Sequence, residues 1–141
     1  MRKFILLIIA CLAFTSLFAQ SDYYRKKAES YTREAEYYQK KADGYRREAE
    51  YYEKKAKSYE REAKYYIKKA ESYQREAAYY SKKGDTYNAS TQSRYARDAM
   101  DKARTQKRYA EQAWDNYRTQ LRYAREADEK AAMYLRWAAG N

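Results

Sequence analysis

Tyrosine returns at every seventh residue from Tyr24 to Tyr87 without a miss. The rungs are Tyr24, Tyr31, Tyr38, Tyr45, Tyr52, Tyr59, Tyr66, Tyr73, Tyr80 and Tyr87. Four residues after each of the first nine stands a small residue: Ala28, Ala35, Ala42, Ala49, Ala56, Ala63, Ala70, Ala77 and then Gly84. Apolar positions spaced alternately 4 and 3 over nine heptads form a coiled-coil seam, here with Ala at a and Tyr at d. Such a pattern belongs on helices and on no strand.

Composition closes off an ordinary aliphatic core. Beyond residue 20 the only Ile or Leu residues are Ile67, Leu121 and Leu135, and the chain has no Val and no Pro. The apolar material is therefore Ala and Tyr, with Trp114 and Trp137. Lys, Glu, Ala and Arg richness at a heptad period marks a long-helix protein.

Residues 1–19 are a separate object. Arg2 and Lys3 precede an apolar run from Phe4 to Phe14, and Ala19 offers a small residue for cleavage. This resembles a secretory signal peptide, so the mature chain is expected to begin at Gln20. Ile8-Ile9-Ala10-Cys11 also resembles a bacterial lipobox, which would instead anchor the chain by a lipid on Cys11. Cleavage at Ala19 removes the only Cys, and the chain has no His. Removing Arg2 and Lys3 from the 31 basic residues leaves 29 against 20 acidic, a net charge of +9. The expected location is the periplasm, the envelope or the exterior.

From Tyr23 the chain repeats every fourteen residues, roughly Y-Y-x-K-K-A-x-S-Y-x-R-E-A-x, with copies at Tyr23, Tyr37, Tyr51, Tyr65 and a fading one at Tyr79. Position f is basic throughout: Lys26, Arg33, Lys40, Arg47, Lys54, Arg61, Lys68, Arg75 and Lys82. Acids one turn ahead of bases, such as Glu29–Arg33 and Glu53–Lys57, support the helix by about 0.2–0.5 kcal/mol per pair. Position g alternates Lys and Glu from Lys27 to Lys83, and Tyr37–Lys41 with its copies is spaced to stack ring against ammonium.

Turn formers gather over 84–92, where Gly84 fits a helix C′ position and Ser90 or Thr91 an N-cap. Asn88-Ala89-Ser90 matches a glycosylation sequon, relevant only to a eukaryotic secretory route. A second amphipathic stretch follows over 93–138. Its seam is Ala96, Ala99, Ala103, Ala110, Ala113, Tyr117, Ala124, Ala127, Ala131, Tyr134 and Ala138, with Gln106 and Gln120 as polar layers. Tyr95, Tyr109, Tyr123 and Trp137 flank it at fourteen-residue intervals.

The expected fold is all-α: a leader over 1–19, helix over 22–83 with Ser21 or Asp22 as cap, a turn over 84–92 and helix over 93–138. The two helices are expected to form an antiparallel hairpin, a two-helix coiled coil, because a d Tyr then meets an a Ala and large side chains fill small grooves. One continuous helix in a parallel oligomer is the alternative. The first helix would run about 93 Å and the second about 70 Å, leaving Tyr24 to Tyr38 without an internal partner and open to self-association.

Catalysis finds little to work with. Without His, and without Cys once the leader is removed, no His- or Cys-based nucleophile–base pair and no soft metal site can be assembled, which leaves only Ser, Lys or carboxylate chemistry. Glu34, Glu48, Glu62 and Glu76 recur at g as interface charges, and no cofactor motif occurs. The expected function is that of an exported, non-enzymatic scaffolding coiled coil that associates with itself through its Tyr/Ala seams or with another helical protein. A polyanion binder, using the f stripe on an anionic envelope polymer or lipid surface, is the first alternative. An interfacial membrane helix is the second, disfavoured by the scarcity of Leu and Ile and the absence of Phe beyond residue 20. Export takes the chain away from nucleic acid. The leader and the heptads resemble small exported bacterial coiled-coil proteins, a likeness of class only.

Overall fold

The computed structural model describes residues 2–140, with side chains described over 21–140. The expected leader over 1–19 and Cys11 lie outside the residues whose side chains are described. Two helices make up the described chain: α1, Arg2–Lys82, and α2, Thr86–Ala138. They pack against each other as an all-α hairpin. Helical backbone runs straight through Ser21 and Asp22, so neither begins α1. Asp22 instead pairs with Arg25 at 2.7 Å and Lys26 at 3.1 Å.

The turn is shorter than the turn formers imply, 83–85 rather than 84–92. Gly84 has φ +75°, the left-handed conformation that favours glycine. Its N–H donates to the Ser81 carbonyl at 3.0 Å, and the Asp85 N–H donates to the Tyr80 carbonyl at 3.0 Å. That pair of bonds is a Schellman closure, which satisfies carbonyls left over at the end of α1. Asp85 then caps α2 at once: the Asn88 N–H donates to Asp85 Oδ1 at 3.0 Å. Ser90 and Thr91, the expected caps, lie inside α2. Asn88 Nδ2 donates to Asp85 Oδ2 at 2.6 Å, so the amide of the sequon is already engaged.

These two bonds from Asn88, backbone first, hold the Asp85 carboxyl below its ordinary value of 3.8. Stabilisation of this sign is present above the unfolded-state value and is lost as pH falls through the lowered folded value. Acidifying from about pH 5 to about pH 2 should therefore lower the melting temperature of the native chain more than that of Asp85→Asn, which keeps a cap with no charge. Equal acid sensitivity of the two would show that Asp85 is not the linked group.

The contacts divide the chain into two units, Tyr45–Arg122 and, separately, Met1–Gly44 with Tyr123–Asn141. In the first unit Tyr73 lies 5.5 Å from Tyr95 and Tyr59 lies 5.5 Å from Tyr109, between ring centres. Fourteen residues back on α1 match fourteen forward on α2, so the strands of the hairpin are antiparallel and the shared period fixes their register. In the second unit Tyr31 lies 5.6 Å from Trp137, and Tyr38 stacks on Tyr134 at 5.6 Å. The expected overhang from Tyr24 to Tyr38 is thus largely covered. A three-residue turn starts α2 seven residues earlier than the turn formers imply, and that brings its C-terminal turns to Tyr31.

The core is alanine alone. Ala35, Ala42, Ala49, Ala56, Ala63 and Ala70 of α1 are buried, as are Ala96, Ala99, Ala103, Ala110, Ala113, Ala124, Ala127 and Ala131 of α2. No Tyr is buried; the rungs from Tyr31 to Tyr80 are half-buried. The d Tyr rungs of α1 do line clefts with Ala of α2, Tyr66 and Tyr73 with Ala99 and Tyr52 and Tyr59 with Ala113, but they are half-buried there and not inside the core. Each Tyr ring lies across the edge of the seam, where its hydroxyl keeps access to water.

Candidate functional site

The two faces singled out by the sequence end up in different places. The Ala rungs form the core, except Ala28 and Ala77, which are half-buried. The Tyr rungs form one flank of the hairpin, with Tyr24 at 58% exposure. All nine f residues, Lys26, Arg33, Lys40, Arg47, Lys54, Arg61, Lys68, Arg75 and Lys82, are exposed. Arg33 approaches Glu29 at 3.9 Å, and Lys57 pairs with Glu53, as the one-turn spacing implies.

The Tyr flank has a defined internal order. Each c Tyr meets the next d Tyr edge to face, at 5.5 Å for Tyr23–Tyr24, 5.2 Å for Tyr37–Tyr38, 5.3 Å for Tyr51–Tyr52 and Tyr65–Tyr66, and 5.4 Å for Tyr79–Tyr80. The g Lys four residues on lies over the c ring: Lys41 at 5.9 Å, Lys55 at 5.6 Å, Lys69 at 5.9 Å and Lys83 at 4.5 Å from the ring centre. A cation over a ring face is attracted by the ring quadrupole, which limits where the ammonium can go.

This order produces repeated clefts. In one of about 260 Å³, Tyr66, Lys69 and Tyr73 of α1 face Tyr95, Ala99 and Lys102 of α2. Fourteen residues away along each helix, in a cleft of about 210 Å³, Tyr52, Lys55 and Tyr59 face Tyr109, Ala113 and Asn116. The two aromatic walls are tilted by 49° in the first and 48° in the second. In the other unit Tyr24, Lys27 and Tyr31 face Trp137 around about 560 Å³, with Tyr31 and Trp137 tilted by 53°. These four residues are the repeat equivalents of Tyr66, Lys69, Tyr73 and Tyr95. The Tyr134 phenol nearby is held above its ordinary value by burial, and further by Tyr38, Glu34 and Tyr31.

The opposite flank was not singled out by the heptads. Met100, Trp114 and Leu121 share one heptad position of α2, and Trp114 Nε1 donates to Glu60 Oε1 at 2.8 Å. Met100 borders a groove of about 680 Å³ with Gln74, Ala77 and Ala96. Three of the seven Ile, Leu, Met and Trp residues beyond residue 20 sit in this row, a signal available from spacing at seven and fourteen. Inside the seam, the Oε1 atoms of Gln92, Gln106 and Gln120 are buried without a hydrogen-bond donor. They too stand fourteen residues apart.

Among the described residues, no helix is long and apolar enough to cross a membrane, and no group of His, Cys, Asp and Glu could hold a metal ion. Comparison with family models, curated proteins and solved structures finds no match.

Proposed function

We propose that the chain is an exported, non-enzymatic scaffolding coiled coil of the cell envelope or exterior that associates with itself. One observation carries this reading. The hairpin core consists of fourteen Ala methyl groups, which is little apolar burial for two helices of this length, while larger apolar groups remain at the surface. The interface we assign is the α2 row of Met100, Trp114 and Leu121, because the Ala seam is already closed within one chain. Leu121 is 41% exposed. Sedimentation of the purified chain should give a dimer or larger species at micromolar concentration, and Leu121→Lys with Trp114→Lys should shift it to monomer. A native chain that stays monomeric at the highest soluble concentration rejects self-association. N-terminal sequencing of extracted protein should begin at Gln20; an intact Met1 in the cytoplasmic fraction rejects export.

A second reading is supported by the uninterrupted exposure of the f stripe. Nine cations recur at about 10.5 Å along α1, close to the Debye length near physiological salt, so they act almost singly. An anionic polymer bound there should dissociate steeply with salt, through counterion release. Changing Lys40, Arg47, Lys54 and Arg61 to Gln should flatten that dependence. Salt-independent binding would remove this reading.

A further inference from the structure

We propose that the Tyr/Lys clefts are equivalent subsites for an acidic polysaccharide, each seating one sugar ring and one carboxylate. This goes beyond the scaffolding reading, and it uses neither the α2 apolar row nor the f stripe.

Three observations carry it. The first is recurrence. The clefts at Tyr66–Tyr73 and at Tyr52–Tyr59 have the same walls, the same g Lys and an Ala in the same place, one repeat apart. Fourteen residues of helix span about 21 Å. The cleft at Tyr24–Tyr31 repeats the same set with Trp137 as its outer wall. Two clefts of the same make-up one repeat apart within one unit favour a ligand that is itself a repeating polymer, because the second contact forms at high effective concentration.

The second observation is charge. Lys69 and Lys102 against Asp98 leave the first cleft with one positive charge. Lys55 alone charges the second, where Gln112 and Asn116 replace Asp98 and Lys102. Lys27 alone charges the third. The charged residues differ from cleft to cleft, yet the balance stays at one. That suits a polymer carrying one acid per bound unit. It does not suit single-stranded nucleic acid, which carries a phosphate about every 3.4 Å along the strand.

The third observation is shape. Clefts of about 260 and 210 Å³ are smaller than the sites of drug-sized ligands, and take a monomer unit rather than a whole oligomer. The walls are tilted by 48–49°, so they cannot sandwich a flat base between parallel faces. A puckered sugar ring has apolar C–H faces to lay on one phenol and hydroxyls to meet the rim. Tyr hydroxyls and the Gln112 and Asn116 amides supply donors and acceptors at that rim.

The test titrates the purified chain by calorimetry with hyaluronan, an alternating polymer of acidic and neutral sugar rings. Its methyl ester and oligothymidylate are run beside it. Hyaluronan should bind, and esterification should weaken it about tenfold or more, equivalent to about 1.4 kcal/mol. Lys27→Gln, Lys55→Gln and Lys69→Gln together should cause a similar loss, with helicity and melting curve kept. Tyr95→Ala with Tyr109→Ala should also weaken binding, and Tyr95→Phe with Tyr109→Phe should retain most of it. The f-stripe variant should bind like the native chain. No binding at millimolar carboxylate, undiminished binding by the Lys variant, or tighter binding of oligothymidylate overturns the proposal. Loss of binding in the f-stripe variant assigns it to that stripe instead. Sedimentation of the same samples separates the two readings: a monomer that binds rejects only self-association, and an oligomer that does not bind rejects only the subsites.

Discussion

Replacing Ala56 and Ala63 with Leu should destabilise the hairpin about as much as replacing Tyr52 and Tyr59 with Ala. Ala56 is fully buried and Ala63 is 2% exposed, so there is no space for three further carbons at either place. Overpacking costs about 1–3 kcal/mol per site, and here the strain must push two backbones apart along a seam that has no larger side chain to rearrange. The pair should therefore cost about 2–6 kcal/mol, enough to abolish a cooperative melt in a marginally stable fold. Truncating a fully buried aromatic costs about 3–5 kcal/mol. Tyr52 and Tyr59 are only half-buried and should lose about half of that each. Thermal melts followed by circular dichroism read both variants. An intact Leu variant beside a collapsed Tyr variant would mean that the tyrosines are the core after all.

The second large effect has the opposite sign. Gln106→Met with Gln120→Met should raise stability. Their Oε1 atoms are buried with no donor, and an unmet buried acceptor costs about 1–3 kcal/mol. An apolar side chain of similar length removes that cost and adds burial. The pair should gain about 2–4 kcal/mol in denaturant unfolding. Polar residues in a seam are best understood as register devices. The more stable variant should accordingly show a second set of amide resonances from slipped hairpins. A loss of stability would mean that the amides are bonded, through water or a neighbouring hydroxyl, and are part of the support.

How far the sequence reaches depends on which length scale is asked of it. Heptad spacing places Ala at the centre of a helical seam and puts the f cations outside, because both follow from period alone. Gly84 is readable as the C′ residue, since a positive φ there suits glycine. Asp85 is missed among several capping residues, although Asn88 three residues later is the local cue. That error sets the turn at nine residues instead of three, and the register across the hairpin follows the turn. With the register goes the pairing of Tyr66 with Lys102, at 5.8 Å between the Tyr66 ring centre and the ammonium, and with it the composition of every cleft. The depth of the Tyr rungs is hidden for a different reason. It depends on how the two helices pack together, which neither helix's own pattern can state. The apolar row at Met100, Trp114 and Leu121 is diluted by Ser93, Lys107 and Asp128 at the same heptad position, so it does not stand out from the heptads.

Oxidative tyrosine coupling with peptide mapping tests the central claim, an antiparallel hairpin whose Ala seam fixes the Tyr register. Photo-oxidation of the dilute chain should join Tyr59 to Tyr109 and Tyr73 to Tyr95 within one chain, since both ring pairs lie at 5.5 Å. The cross-linked product should keep the mass of a monomer. Links found only between chains, joining Tyr59 to Tyr59 and Tyr73 to Tyr73, would contradict the hairpin and establish a parallel oligomer of continuous helices.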